Sequence, residues 1–192
     1  IVTTDGLPVE CTCGLQITPD GKLESVKDGN LLFIVSGFKQ FEYISSDEIA
    51  LIRRFSSKFD AMGGVDTGAW LLGKAGLLDG KSATTHWEDL EDFADYFRQT
   101  EVRPDRFVID KGVITIGGAS PTFDFMLHLI RSRIGYPAAL EVASVFVYDE
   151  THFSTDAQPL VSLGLLNDFE PRVTKAIRIM ESNLDEPISV TS

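Results

Sequence analysis

The chain has 192 residues, 43% hydrophobic and 24% charged, which is enough for one full core and ordinary for a globular protein. Its 17 Lys and Arg against 29 Asp and Glu leave a net charge of −12, an acidic surface that repels phosphate and excludes a broad nucleic-acid-gripping face. No apolar run approaches a membrane span and no basic-apolar leader pattern opens the chain, so a cytoplasmic protein without membrane contact is expected.

The first stretch holds both cysteines, Cys11 and Cys13 in "ECTCG". Neighbours that close rarely form an unstrained disulfide, and no second ligand pair follows them, so neither a disulfide nor a metal site is expected. The spacing reads as two small residues on one face of a strand. "GNLLFIVSG" (Gly29 to Gly37) is a continuous apolar run bounded by glycines, the pattern of a strand buried on both faces. "SSDEIALIRRFSSKF" opens with Ser45 and Glu48 at capping-box spacing and sets Leu51, Ile52, Phe55 and Phe59 along one helical face. A strand over Asp60 to Val65 follows, then a Gly-rich corner and a helix from about Gly68 to Ala75.

"GKSATTHW" reads as another short strand after the Asp79-Gly80 turn. "WEDLEDFADYFRQ" is an acidic amphipathic helix with Leu90, Phe93, Ala94 and Phe97 inward. "RFVIDKGVITIGG" predicts two strands joined tightly at Lys111-Gly112. In "ASPTFDFMLHLIRSRIG" Ser120 is the expected N-cap, Pro121 lies in the first turn and Gly135 is the stop. Its expected buried stripe is Phe123, Met126, Leu127, Ile130 and Ile134. "YPAALEVASVFVYD" is a further apolar helix. Such alternation predicts an α/β domain with a mostly parallel sheet covered on both sides.

After Tyr148 the character changes. The expected domain covers residues 1–148, and 149–168 mix polar residues with Pro and Gly as a linker does. Residues 169–192 restart an amphipathic helix with Val173, Ala176, Ile177, Met180 and Leu184 on one face, as the start of a second domain. Ile1 reads as the end of a strand, so the first strand-helix unit of a doubly wound sheet is missing from the pattern.

The corner "GGVDTG" carries the chemistry. A sharp strand-to-helix turn exposes one side chain beside the backbone N–H groups of a helix N-terminus. Acyl-transfer enzymes place a Ser or Cys nucleophile there; this chain has Asp66. Three readings of Asp66 stand: a cap for the helix that follows, a carboxylate that binds a ligand, or an aspartyl nucleophile. Trp70 and Trp87 read as core packing or, if both face Asp66, as a cage for an ammonium group. His128 and His152 read as structural or solvated.

"GGVDTGAWLLGKAGLLDGKSATTHW" resembles the elbow region of the class I glutamine amidotransferase-like (PfpI-like) effector domain of AraC-type transcription regulators. "VITIGGASPTFDFMLHLI" is similar to that family's next signature. "PRVTKAIRIMESNLDEPIS" resembles the first helix of its helix-turn-helix DNA-binding domain. The resemblance implies a flavodoxin-like three-layer fold and assigns roles by position. Asp66 falls where the superfamily's enzymes keep their nucleophilic Cys, and His86 where they keep its partner. Gly37 and Thr67 fall where two backbone N–H groups form an oxyanion-hole-like pair.

The ligand-binding residues expected are therefore Gly37, Asp66, Thr67, His86 and Trp87, in a cleft at the carboxyl ends of the strands. With no thiol at the elbow, no catalytic residue, cofactor or metal is expected. The implied function is sensing of a small metabolite, an amino acid or a quaternary amine such as betaine or carnitine. A homodimer is expected, and DNA would be bound through the helix-turn-helix domain and not by residues 1–192. An active hydrolase or hydratase of the same superfamily and a ligand-free dimerisation module are the alternatives.

Overall fold

The computed structural model describes residues 1–11, 13–37, 44–148 and 152–158. The helix expected over 169–192, and the part of the expected linker beyond Gln158, lie outside the described residues. The chain opens with four two-residue strands: β1 (Val2–Thr3), β2 (Val9–Glu10), β3 (Gln16–Ile17) and β4 (Gly21–Lys22). β1 runs parallel to β4, and β2 and β3 form an antiparallel hairpin. Cys11 and Cys13 sit in the turn of that hairpin instead of on one strand face. The Cys11 N–H donates to Leu15 O at 2.8 Å and Gly14, at φ +82°, donates back to Cys11 O at 2.8 Å.

The main sheet begins with β5 (Gly29–Ser36). Helix α1 (Ser46–Ser56) follows, and its N-terminus is fixed by the expected capping box. The Ser45 hydroxyl accepts from the Glu48 N–H at 3.3 Å and the Glu48 carboxylate accepts from the Ser45 N–H at 2.8 Å. Next come β6 (Phe59–Asp66), α2 (Gly68–Lys74) and the short β7 (Ser82–Ala83). Helix α3 (Leu90–Tyr96), β8 (Glu101–Val102), β9 (Phe107–Asp110), β10 (Val113–Ile116), α4 (Ala119–Arg133) and α5 (Tyr136–Val145) complete the described strands and α-helices, and 3-10 turns lie at Leu23–Ser25 and Trp87–Asp89.

The strand order is β5-β6-β10-β9, the first three parallel and β9 antiparallel to β10. Lys111 (φ 45°) and Gly112 (φ 76°) make the β9–β10 connection, left-handed at both positions as a two-residue hairpin requires. Register puts Val35 opposite Val65 and Ser36 opposite Asp66, so the loops after β5 and β6 leave the sheet side by side. β5 is not buried on both faces as its composition suggested. Among the described residues it is an edge strand, and Val35 is 74% exposed.

Residue alternation along β6 and β10 splits the core in two. Met62 and Val113 face α1, α2 and α3, where Ile52, Trp70, Leu72, Phe93 and Phe97 pack. Trp70 stands edge-on to Phe93, with ring centroids 5.1 Å apart at 84°, an arrangement worth about 0.5–1.5 kcal/mol beyond the area it buries. Trp70 therefore belongs to the core. Val65, Ile114 and Ile116 face the other way, against Phe107 and Phe125. Helices thus cover both sides of the sheet in a flavodoxin-like α/β fold.

Three expectations about the helices need correction. In α3 Phe93 is buried, as is Phe97 at its C-cap, but Ala94 is exposed. α4 begins at Ala119 with Gly118 as its N-cap, not Ser120. The Ser120 hydroxyl lies inside the first turn, where it accepts from Arg106 Nη2 at 3.3 Å. The buried face of α4 is Pro121, Asp124, Phe125 and Leu127, whereas Met126 and Ile134 are exposed. The helix is turned because Asp124 faces inward to pair with Arg106, a partner that hydrophobic periodicity cannot register.

Candidate functional site

The elbow between β6 and α2 is built by backbone shape. Asp66 takes φ 58°, a left-handed conformation that costs an ordinary residue on the order of 1–3 kcal/mol and clusters at functional sites. Gly64 and Gly68 permit it. A Cβ on Gly64 would stand 2.7 Å from the Ala69 N, and one on Gly68 would collide with the Ile34 carbonyl oxygen. α2 therefore starts tight against β5 and β6, and the residue at 66 is lifted out of the turn.

Thr67 is the N-cap of α2 and no side chain caps this helix, so Asp66 is not a helix cap. The Thr67 hydroxyl instead donates to Gly37 O at 2.7 Å, binding the end of β5 to the elbow. Gly37 is exposed, and a Cβ placed on it would meet nothing within 4 Å. From the third side comes the segment after β7. Thr84 and Thr85 are fully buried, and Thr85 Oγ1 donates to the Asp66 main-chain oxygen at 3.3 Å.

That bond brings the next residue, His86, up to the elbow. Its Nδ1 lies 3.6 Å from Glu88 Oε2, and its ring lies 5.6 Å from that of Trp87. A Cβ on Gly118 would meet His86 Cδ2 at an ordinary contact distance of 3.5 Å, so the Gly118 turn lies beside the ring. Burial raises the Asp66 carboxyl pKa above its ordinary 3.8, opposed by His86 and by the Thr67 N–H beside it, with Asp89 and Glu88 adding to the rise. Burial likewise raises Asp89, opposed by His86 and by the Trp70 indole. The ionisable groups acting on Asp66 are thus one imidazole and two further carboxylates.

Of the five expected residues, Gly37, Asp66 and Thr67 meet directly, His86 follows Thr85 up to them, and Trp87 lies against the His86 ring. Residues 38–43, which continue from Gly37, lie outside the described residues. A cavity of about 460 Å3 elsewhere, lined by Thr4, Asp5, Glu24, Asp47, Glu48 and Arg54 among others, includes none of the five. Sequence reasoning missed Glu88 and Asp89, although "HWED" places both within three residues of His86. It also missed Thr85, whose hydroxyl has no sequence signature.

A second charged site is wholly buried. Arg106 and Asp124 pair at 2.6 Å with side chains 4% and 0% exposed. Asp124 Oδ1 also accepts from the Tyr148 hydroxyl at 2.7 Å and from the His152 N–H at 3.4 Å. Burial first, then the bond to Asp124, pushes the Tyr148 pKa up to about 12.

Known proteins resemble this chain in sequence and in fold. Residues 1–132 match the model of the DJ-1/PfpI family. The HTH-type transcriptional regulator CdhR of Pseudomonas aeruginosa is 32% identical over 189 residues, which is 98% of this chain and 56% of the relative. Isonitrile hydratase of Pseudomonas putida is 31% identical over 140 residues, 72% of this chain and 60% of the enzyme. A crystal structure of an AraC family transcriptional regulator from Pseudomonas putida superposes with a TM-score of 0.66 at 25% identity, over 76% of this chain and 78% of that one. The chain spans about half the length of the curated regulators it matches. Among the described residues no helix is long and apolar enough to cross a membrane.

Proposed function

The chain belongs to the DJ-1/PfpI family, and we propose that it is the effector-sensing part of an AraC-type transcription regulator. The carrying observation is the elbow: a strained, half-buried position holding Asp66 amid Glu88, Asp89 and His86, where a thiol would serve catalysis. A carboxylate whose burial is not matched by a fixed cation suits a ligand that brings one. Because the Thr67 N–H already favours the Asp66 carboxylate, the site prefers the ammonium end of a ligand to its carboxylate end. Trp87 beside His86 adds an aromatic face for that cation.

The mechanism is linkage. A ligand that binds one arrangement of the domain better shifts its equilibrium, and the DNA-binding domain follows. With a net charge of −12, residues 1–192 should not bind duplex DNA at physiological salt; DNA contact belongs to a helix-turn-helix domain. Homodimerisation is part of the same reading, and light scattering that finds only monomers at working concentration would remove it.

A thermal-shift screen with glycine betaine, L-carnitine and L-arginine tests the sensing role, since a ligand specific for the fold raises its melting point by mass action. Asp66→Asn should weaken a bound amine by about 1.5–3 kcal/mol, the worth of a hydrogen bond to a charged group. Unchanged affinity in that variant would sink the site assignment. The similarity to isonitrile hydratase favours one second reading, in which Asp66 and His86 handle protons for a hydration. Turnover of an isonitrile that disappears in Asp66→Asn would establish it in place of sensing.

A further inference from the structure

The segment His152 to Gln158 was expected to belong to a linker, yet it is laid along the domain. The Arg106 N–H donates to Asp156 O at 3.0 Å, the Gln158 N–H donates to Pro104 O at 3.1 Å, and Ala157 bridges Asp105 in antiparallel fashion. The last described residue goes deeper. Gln158 is buried, and its Nε2 donates to Thr85 O at 2.8 Å, Thr84 Oγ1 at 2.9 Å and Asp105 O at 3.1 Å. Gly117 makes the space, since a Cβ there would collide with the Gln158 amide.

The amide can sit only this way round. Two of its three neighbours are main-chain carbonyls, which accept and never donate, so the NH2 must face them. The Gln158 Oε1 is left buried without a hydrogen-bond partner among the described residues. An anchor with one orphaned polar atom holds less firmly than a fully satisfied one, because the buried oxygen forgoes the water it would meet outside. Such an anchor can be released.

What it grips is the residue that grips the elbow. Thr85 accepts from Gln158 through its carbonyl and donates through its hydroxyl to the Asp66 main chain, and the residue after it is His86. Two hydrogen bonds therefore connect the Gln158 side chain to the strained backbone of Asp66. We infer that Gln158 is the coupling residue of the domain: its seating between Gly117 and Thr85 and the arrangement of Asp66 and His86 are two ends of one equilibrium. A change at the elbow is thereby passed to the chain that continues past position 158. Gln158 is a positioning residue, acting through Thr85, and its role rests on the sensing reading of the elbow.

Coupling is reciprocal, so it can be tested from either end and without a ligand. Amide hydrogen exchange on residues 1–192 reads the exit segment through the Arg106 and Gln158 amides and the elbow through the Trp70 amide, which donates to Thr67 O. Asp66→Asn and Thr85→Val should each change exchange at Arg106 and Gln158 by about fivefold or more, the lower end of coupling between linked sites. The Met62 amide, bonded to Gly112 O within the central strand β6, is the reference for global opening and should not follow. In the other direction, Gln158→Leu should change exchange at Trp70. Tyr148→Phe, which loosens the same exit through Asp124, should not.

Exchange at Arg106 and Gln158 that stays within about twofold in both elbow variants overturns the proposal. So does a Tyr148→Phe variant that disturbs Trp70 as much as Gln158→Leu does, because Gln158 would then be a structural anchor like any other. If Gln158→Leu does not fold, the two elbow variants still decide. Failure of the sensing reading shows separately, as absence of any melting shift with glycine betaine, L-carnitine or L-arginine.

Discussion

The molecule holds two groups of charged residues that differ in how completely they are answered. Asp124 lies at zero exposure but faces a guanidinium, a phenol and a main-chain N–H, so its charge is fully met. Asp66 is less buried, yet it faces two other carboxylates and a single imidazole, on a backbone held at φ 58°. The first group fastens α4 to β9 and to the chain after α5. The second keeps an electrostatic need and a strained turn that the fold does not resolve, and a ligand can resolve it. Burial alone does not separate the two; the balance of partners does.

Breaking the satisfied group should cost most. Asp124→Ala leaves Arg106 buried without its counter-charge, and a loss of about 3–5 kcal/mol in urea unfolding is expected. A loss under about 1 kcal/mol would show that Arg106 finds water, and the contrast with the elbow would weaken. Tyr148→Phe removes one bond to the same carboxylate and should cost about 1 kcal/mol near neutral pH. Its pH dependence sharpens the point. The Tyr148 pKa stands at about 12 in the fold against 10.0 ordinarily, so the fold favours the protonated phenol. That contribution is complete below pH 10 and is lost as pH rises through about 12, a slope that Tyr148→Phe should abolish.

The elbow should respond with the opposite sign and the smallest size. Burial raises the Asp66 pKa above 3.8, so the folded chain holds this proton more tightly than the unfolded chain does. Asp66 favours folding while protonated, and that contribution fades as pH climbs from 3.8 through the raised folded value. Asp66→Asn escapes the loss. It should melt about 1–3 °C higher than the native chain at pH 7, with the difference closing below about pH 4. A variant that melts lower at pH 7 would mean that the Asp66 charge is already compensated in the fold.

Much of this was readable in the sequence. Gly29 to Gly37, the Ser45 capping box and the Lys111-Gly112 turn were legible because each depends on residues within a few positions of one another. The pairing of β5 with β6 accords with the tendency of sequential parallel strands to lie side by side. The rotation of α4 was hidden, because the pairing of Asp124 with Arg106 spans 18 residues and contradicts the apolar stripe. Gln158 was hidden for the same reason: its hydroxyl partner on Thr84 lies 74 residues away. Asp66 was conspicuous only because glycines and a Thr surround it. Which of its three readings to discard became clear once Thr67 proved to be the N-cap.

The shape of the elbow is inherited from its neighbours, and this has a consequence for what the chain can become. Gly64, Gly68 and the Thr67–Gly37 bond hold the turn, and none of the three depends on the side chain at 66. A newcomer at this position receives the same raised, left-handed perch with His86 at hand. Asn is at ease in that conformation, while a β-branched residue is strained there. A cysteine would find a seat already made. Geometry and chemistry at this corner are therefore separable: one substitution at 66 changes the group presented while its neighbours keep the turn.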